Sequence, residues 1–288
     1  MKLKTILALV LTIILLVFAR KTSMVRSVYM EAEKGKVKIE HYTVPKKEGA
    51  GDAVIPVNIK GIENQENRVL LLYRFKKKES GTLTDYFSTS MIPDQKNVAG
   101  FKGIIPHQPK GDLTFYYIKV VDENGQTTLT LPRTKNSKVK PIRLRFEGEV
   151  PGTVLLPHIL AMFGGVFFAF LSFFSIFELK GKKITLQRSV NLSRMTLGIL
   201  FLGTFPLGWA LNWYAFGVLW EAFPFGKDIT DNKTQIVFLF WLLTLIFVKG
   251  SFLSGDSRKN ILGEKTYFWM VFASFLVTIL MYLVPHSL

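Results

Sequence analysis

The chain has 288 residues, of which 49% are hydrophobic, 14% aromatic and 20% charged. This balance excludes a disordered chain, because ample apolar surface is available for burial, and it is too apolar for an ordinary soluble domain. The sequence contains no cysteine, which excludes disulfide scaffolds, zinc–cysteine sites, thiolate catalysis and c-type haem attachment. Anionic lipid headgroups and membrane topology explain the net charge of +16 better than nucleic acid does, so no nucleic-acid partner is predicted.

The N-terminus carries the pattern of a targeting or anchoring segment. Lys2 and Lys4 precede a short apolar stretch that ends at Ala19, which is typical of a secretory signal peptide or of an uncleaved N-terminal anchor helix. Residues 17–19 resemble a small-residue cleavage site, and this favours cleavage. In either case the residues that follow 1–19 are predicted to lie outside the cytoplasm.

Residues 24–149 contain eight short segments rich in Val, Ile, Tyr, Phe and Thr, bounded by turn residues. These segments are 25–32, 36–44, 53–60, 68–76, 98–105, 113–122, 127–131 and 142–147. The Asp-Glu-Asn-Gly sequence at 122–125 separates two alternating runs, as a β-hairpin requires. Closely spaced short strands without a helical period predict an extracytoplasmic β-sandwich.

One part of this domain resembles a known fold family. Between Phe101 and Pro132 the chain carries the pattern Y-Y-I-x-V-x-D-x-x-G, which begins at Tyr116 and resembles the end of a fibronectin type III or immunoglobulin-like sandwich. The resemblance implies a fold that is commonly used for binding and says almost nothing about activity. One of Tyr116 and Tyr117 is predicted in the core and the other at the surface.

Two histidines of the same domain are isolated in the sequence. Neither His41 nor His107 has a partner at a spacing useful for ligation. Both are therefore predicted to lie at the surface.

Four apolar runs, at 155–177, 197–216, 236–248 and 268–284, predict a four-helix transmembrane domain over residues 153–288. The segments 178–194 and 249–265 are rich in Lys and Arg, and the positive-inside rule assigns them to the cytoplasm. The 217–235 loop, the β-sandwich and the C-terminus would then face the periplasm. The predicted location is the inner (cytoplasmic) membrane of a bacterium.

Glycine and proline mark special positions within these helices. Pro206 is predicted to kink the second helix, because proline removes a backbone N–H. Gly164, Gly165, Gly198 and Gly203 are expected to permit close helix packing.

Polar residues concentrate in the loop before the third apolar run. That run covers only about 20 Å, so a spanning helix must begin near Thr230 or Asp231, one of which would be the N-cap. Charged groups would then lie at membrane depth, where they normally face a bundle interior and pair with one another. The predicted polar outer-leaflet site consists of Glu221, Asp228, Thr230, Asp231, Asn232 and Lys233.

Three interpretations of this region are open. In a structural interpretation, Asp228 or Asp231 pairs with Lys233, and Asn232 caps the backbone. In a second interpretation, the site handles an ion, a lipid or a quinone through Glu221, Asp228, Asp231 and Lys233. The sequence shows no polar residues in the cytoplasmic halves of the helices, which argues against a transport path.

The third interpretation is a cofactor site. His158 and His286, on different helices at the same leaflet, would ligate a b-type haem or a metal. Met162, four residues after His158, shares its helical face.

A second resemblance covers the helical half. The segments 224–234 (P-F-G-x-D-x-T-D-N-K-T), 282–287 (Y-L-V-P-H-S) and 158–163 resemble an uncharacterised family of bacterial inner-membrane proteins. The resemblance carries over no activity. It implies that one recurring arrangement contains His158, Asp228, Asp231, Asn232, Lys233 and His286.

The sequence contains no phosphate-binding loop, nucleophile elbow, zinc-protease motif or paired-carboxylate motif. It therefore favours a non-enzymatic integral membrane protein whose β-sandwich binds another envelope protein or a glycan. The bundle, in contact with membrane lipids, would anchor that sandwich. A redox subunit with haem or metal at His158 and His286 is the alternative.

Overall fold

A computed structural model describes residues 2–62, 68–94, 100–132 and 140–285 of the chain. The chain divides into two units, each with its own internal packing. A helical unit comprises Met1–Met24, Val150–Tyr214 and Val218–Leu288. A β unit comprises Val25–Glu149 together with Ala215–Gly217.

Within the described residues, the β unit contains eleven strands. They are β1 (Tyr29–Lys34), β2 (Val37–Tyr42), β3 (Lys46–Glu48), β4 (Ala53–Lys60), β5 (Arg68–Lys76), β6 (Phe87–Ser90), β7 (Ile92–Pro93), β8 (Gly100–Ile105), β9 (Leu113–Val121), β10 (Thr127–Leu131) and β11 (Ile142–Glu147). One sheet has the order β1-β2-β4-β8-β7, and the other has the order β3-β11-β9-β5-β6, with β10 paired to β9. All pairs are antiparallel except β3 with β11. The predicted β-sandwich is confirmed, and its fibronectin or immunoglobulin type stays a prediction.

The core of the sandwich follows from strict alternation along its central strands. In β4, Ala53, Ile55, Val57 and Ile59 are buried while the residues between them are exposed. Because successive side chains of a strand point to opposite faces, one set of every second residue fills the space between the sheets. The inward set of β5 is Val69, Leu71, Tyr73 and Phe75, and that of β9 is Thr114, Tyr116, Ile118 and Val120.

Each of the eight predicted strand segments overlaps a strand, and β1 begins four residues and ends two residues later than predicted. The hairpin at 122–125 also forms: Asp122 N–H donates to the Gln126 carbonyl at 3.0 Å, and Gly125 has φ of 77°. Tyr116 is buried and Tyr117 is half-buried, as expected for neighbours in one strand. Three short strands escaped prediction, and they have only three, four and two residues.

The surface prediction is wrong for His41, which is 1% exposed. It lies two residues after the buried Ile39 in β2 and therefore points into the core. Its Nδ1 lies 2.7 Å from the Pro56 carbonyl, which can only accept, so Nδ1 carries the proton. Its Nε2 accepts the Tyr116 hydroxyl at 2.8 Å, and burial lowers the pKa of His41. His107 is exposed, as predicted.

The helical unit contains six α-helices among the described residues. They are α1 (Lys2–Ser23), α2 (Gly152–Lys180), α3 (Leu186–Leu202), α4 (Gly208–Phe216), α5 (Ile229–Phe247) and α6 (Glu264–Leu283). A π-helical turn, Gly203–Leu207, joins α3 to α4 and contains Pro206. The helix therefore departs from regular α geometry at the proline that was predicted to kink it.

Four helical segments in the described chain are long and apolar enough to cross a membrane. They are Lys2–Ser23, Gly152–Lys180, Leu186–Phe216 and Glu264–Leu283. The first coincides with the predicted signal peptide or anchor, and the other three with predicted crossings. The remaining predicted crossing, at 236–248, forms the helix α5, which is not one of these four segments. Its first turns are more polar because they carry Asp231 and Lys233.

Two of the four predicted packing glycines bring α2 and the α3–π segment together. A Cβ on Gly165 would lie 2.6 Å from Leu200 Cδ2, and one on Gly203 would lie 2.8 Å from Met162 Sδ. At Gly164 the nearest atom would be at 3.5 Å, an ordinary contact, and at Gly198 no atom would lie within 4 Å. Close approach therefore depends on Gly165 and Gly203.

Candidate functional site

The candidate site begins at the N-terminus of α5, where Asp228 is the N-cap. Its Oδ1 accepts the backbone N–H of Asp231 at 3.0 Å. This contact satisfies one of the first-turn N–H groups that have no helical partner. The prediction of Thr230 or Asp231 as the cap is wrong, because the helix begins at Ile229. Thr230 lies inside the first turn, and its carbonyl accepts the Thr234 hydroxyl at 3.4 Å.

Asp231 is buried, with 7% of its surface exposed. Both carboxylate oxygens accept from Asn212 Nδ2 at 3.1 Å, and Oδ2 also accepts the Glu221 backbone N–H at 2.7 Å. A buried carboxylate requires such donors, and its position in the first turn of α5 is favourable for the helix dipole. Asp231 thereby ties α4 and the following loop to α5.

Lys233 is 5% exposed, and its hydrogen-bond partners lie 51 and 52 residues later in the sequence. Its Nζ donates to the carbonyls of Val284 at 2.7 Å and Pro285 at 3.0 Å. These carbonyls follow the end of α6, where a helix leaves acceptors without helical partners and favours a positive charge. The predicted ion pair of Lys233 with Asp228 or Asp231 is wrong. The two carboxylates accept from N–H groups of the loop and helices, whereas the Lys233 amine donates to the two carbonyls after α6.

Asn232 caps the loop backbone, as predicted. Its Oδ1 accepts the Phe223 N–H at 3.0 Å, and its Nδ2 donates to the Asp228 carbonyl at 2.7 Å. Glu221 contributes through its backbone as well, because its carbonyl accepts the Asp228 N–H at 2.9 Å. A Cβ at Gly226 would lie 2.3 Å from that carbonyl oxygen, so the loop requires glycine there.

His158 forms a second polar contact in the helical unit. Its Nδ1 lies 3.0 Å from the Gly203 carbonyl and must donate to it, which leaves the lone pair of Nε2 available. Met162 is buried one turn later against the same π-helical turn, where the Thr204 hydroxyl lies 3.9 Å from its sulfur. The third predicted cofactor residue, His286, lies outside the described residues.

The two polar contacts are separate. Gly203, which accepts from His158, and Asn212, which donates to Asp231, are nine residues apart on the α3–π–α4 segment, or about 13 Å along a helix. Within the described ranges, no three His, Cys, Asp or Glu residues come close enough to hold a metal ion.

Sequence reasoning missed a group of buried hydroxyls that joins α2, α3 and α6. Ser175 Oγ lies 2.6 Å from Ser189 Oγ, and the Tyr267 hydroxyl lies 3.2 Å from Ser189 Oγ and 2.9 Å from Ser193 Oγ. The expectation that these helix halves lack polar residues is therefore wrong. The four-residue spacing of Ser189 and Ser193, with both on one helical face, indicates such a contact in retrospect.

Comparison of the chain with protein-family models and with curated proteins finds no match. The interpretation of the candidate site therefore depends only on the contacts of its residues. Its hydrogen bonds fix the loop and the end of α6 to the bundle, which agrees with the structural interpretation of these residues.

Proposed function

We propose that this chain is a membrane-anchored binding protein of the bacterial cell envelope. In this proposal the apolar helices hold the protein in the cytoplasmic membrane, and the β-sandwich binds another envelope protein on the outer side. Four helices of sufficient length and apolarity support the anchoring part. The exposed face of the five-stranded sheet is the observation that supports the binding part.

One half of that face carries five exposed tyrosine and aliphatic side chains, and Lys102, which lies 2.9 Å from Asp94, is placed among them. Tyr29 and Tyr42 are register partners whose ring centroids are 5.2 Å apart, and they are 45% and 64% exposed. Val54 and Ile104, also register partners, and Ile92 on the edge strand are each about half exposed. We call these five residues the apolar band.

The other half of the same face is charged. Lys38 Nζ lies 3.0 Å from Glu31 and 3.2 Å from Glu40, and Lys60 lies 3.0 Å from Glu40. Large exposed apolar patches bordered by polar residues mark interaction surfaces. This division supports a partner that covers the apolar band and leaves the charged half as the polar border of the interface.

The aliphatic members of the band favour a protein partner over a glycan. Val54, Ile92 and Ile104 offer no side-chain hydrogen bonds to sugar hydroxyls. Tyrosine and aliphatic side chains that lose water on contact are typical of the centre of a protein–protein interface.

Site-directed photo-crosslinking in intact cells tests this proposal. A photoreactive phenylalanine analogue at Tyr42 or Ile92 should give one discrete crosslinked product. The same analogue at Glu33 or Lys60, on the charged half, should give little or none. Tyr29→Asp should abolish the product formed from position 92, whereas Glu33→Gln should not.

Equal crosslinking from all four positions, or no protein product from any, would overturn the binding part of the proposal. A product that contains glycan instead of protein would replace the proposed partner class.

A redox or metal role of His158 remains the second candidate. The observation that favours it is the Nδ1–H contact to Gly203, because a ligating imidazole usually donates its other ring N–H to such a carbonyl. Purified protein would then show a Soret band or stoichiometric metal that is lost in His158→Ala. A colourless, metal-free wild-type protein would remove tightly bound haem and metal from consideration.

A further inference from the structure

A groove of about 450 Å³ lies between the end of α2 and the first turns of α6. Ile176, Phe268 and Trp269 form part of its apolar wall, while Lys180, Glu264 and Lys265 supply its charges. The groove is therefore amphipathic. Trp269 is 58% exposed although it lies in an apolar helix, so a large aromatic surface is open to a ligand.

The charged end of the groove adjoins the start of α6. The N-cap residue, Gly263, provides no side-chain acceptor for the first-turn N–H groups, and such groups favour an anion. Lys180 Nζ lies 5.9 Å from the centre of the Phe268 ring, so the amine is held above the apolar wall. The two lysines and Glu264 together give the groove a formal charge of +1.

We propose that this groove binds an anionic phospholipid. The phosphodiester, with its single negative charge, lies between Lys180 and Lys265 at the start of α6, and an acyl chain lies along Phe268 and Trp269. A net charge of +1 complements the headgroup of phosphatidylglycerol. A zwitterionic headgroup has no net charge and gains less from two lysines than an anionic one.

The position of the groove in the helical unit agrees with this ligand. It lies where α2 leads into the basic segment 178–194 and where the basic segment 249–265 leads into α6. Basic pockets between helices on the cytoplasmic side bind anionic headgroups. The inference requires that the helices lie in a membrane, and it is independent of what the β-sandwich binds.

Fluorescence quenching of Trp269 tests the proposal with the full chain. Wild-type protein and Trp269→Phe are placed in bilayers with increasing fractions of brominated phosphatidylglycerol or brominated phosphatidylcholine, and the Trp269 signal is the difference between the two proteins. We expect half-maximal quenching at a lower fraction of phosphatidylglycerol. Lys180→Gln and Lys265→Gln should each weaken this preference by about fivefold.

Lys183→Gln and Lys259→Gln are matched controls, because both remove a basic residue of the same two segments that does not line the groove. They should leave the preference unchanged. Equal quenching by the two lipids in wild-type protein, or an equal loss in the control variants, would overturn the proposal. Brominated phosphatidylethanolamine that quenches as well as phosphatidylglycerol would also overturn it. The wild-type comparison needs no charge variant to fold.

Discussion

Asp231 and Lys233 are only two residues apart in the sequence, but they stabilise different parts of the molecule. The carboxylate holds Asn212 and the Glu221 N–H, whereas the amine holds the carbonyls of Val284 and Pro285. Each charge therefore satisfies backbone or amide groups that would otherwise be buried without a partner.

Asp231→Ala is expected to lower the free energy of unfolding by about 1–3 kcal/mol, because it leaves the Glu221 N–H without this acceptor and the Asn212 amide with only the Leu219 carbonyl at 3.5 Å. Unfolding of the full chain in detergent, followed by tryptophan fluorescence, measures the change. The exposed Lys227→Gln in the same loop is the control and should change stability by less than about 0.5 kcal/mol.

The double variant Asn212→Ala/Asp231→Ala should lose less stability than the sum of the two single variants, because both remove the same contact. Strictly additive losses would contradict the role given to this hydrogen bond.

His41 makes the stability of the β-sandwich depend on pH. Burial lowers its pKa in the folded protein from the ordinary value of 6.5, so the unfolded chain binds more protons. Stability is fully present above pH 6.5 and falls as the pH decreases through 6.5 towards the folded-state pKa.

Hydrogen exchange of peptides from β2 and β4, corrected for intrinsic rates, should show less protection at pH 5.5 than at pH 7.5. His107→Gln should keep this difference, because His107 is exposed, and His41→Gln should reduce it. An unchanged pH dependence in His41→Gln would contradict the assignment.

At the scale of elements, the packing of α2 against α3 depends on one glycine of an adjacent pair. Gly165→Ala is expected to lower stability by about 1–3 kcal/mol, because its Cβ would lie 2.7 Å from Cγ of Leu200, which is 1% exposed. Gly164→Ala meets only an ordinary contact and should be neutral or stabilise by up to about 1 kcal/mol.

Thermal unfolding of the two variants in the same detergent makes the comparison. Equal stability of Gly165→Ala and Gly164→Ala would show that this close approach does not stabilise the bundle.

Periodicity predicts the long elements well and the short ones poorly. The alternation in β4 and the apolar run of α2 extend over many residues, so each carries enough positions to define a face. Strands β3 and β7 have only three and two residues, and their pairing with β11 and β8 fixes them rather than their own pattern. The N-cap of α5 was misplaced by two to three residues because Asp228, Thr230 and Asp231 are all capable caps.

The sequence predicts which residues of the candidate site need hydrogen-bond partners, but it does not predict what those partners are. The expectation that Asp231, Asn232 and Lys233 lie at membrane depth indicates that their side chains need partners. Their actual partners include Asn212 and the backbone at Val284, which lie 19 and 51 residues away. A local sequence pattern carries no information about contacts over such separations. His41 is a different case, because its two-residue spacing from Ile39 places it on the inward face of β2, and only its partner Tyr116, 75 residues away, lies beyond the local pattern.

At the scale of the whole molecule, each of the two units has its own hydrophobic interior among the described residues. The β-sandwich core is formed by alternating strand residues, whereas the helical unit buries aromatic and aliphatic side chains such as Trp241, Leu200 and Val271. In the proposed topology, the helices lie in a membrane and the β-sandwich lies on its outer side. Because the chain contains no cysteine, one engineered cysteine reports on its own position.

The most direct test is labelling of single-cysteine variants with a membrane-impermeant maleimide in intact bacterial cells. Glu33→Cys in the β-sandwich and Lys227→Cys in the loop before α5 should react in intact cells. Lys259→Cys, between α5 and α6, should react only after the membrane is permeabilised. A protein recovered in the soluble fraction, or the reverse pattern of labelling, would contradict the account.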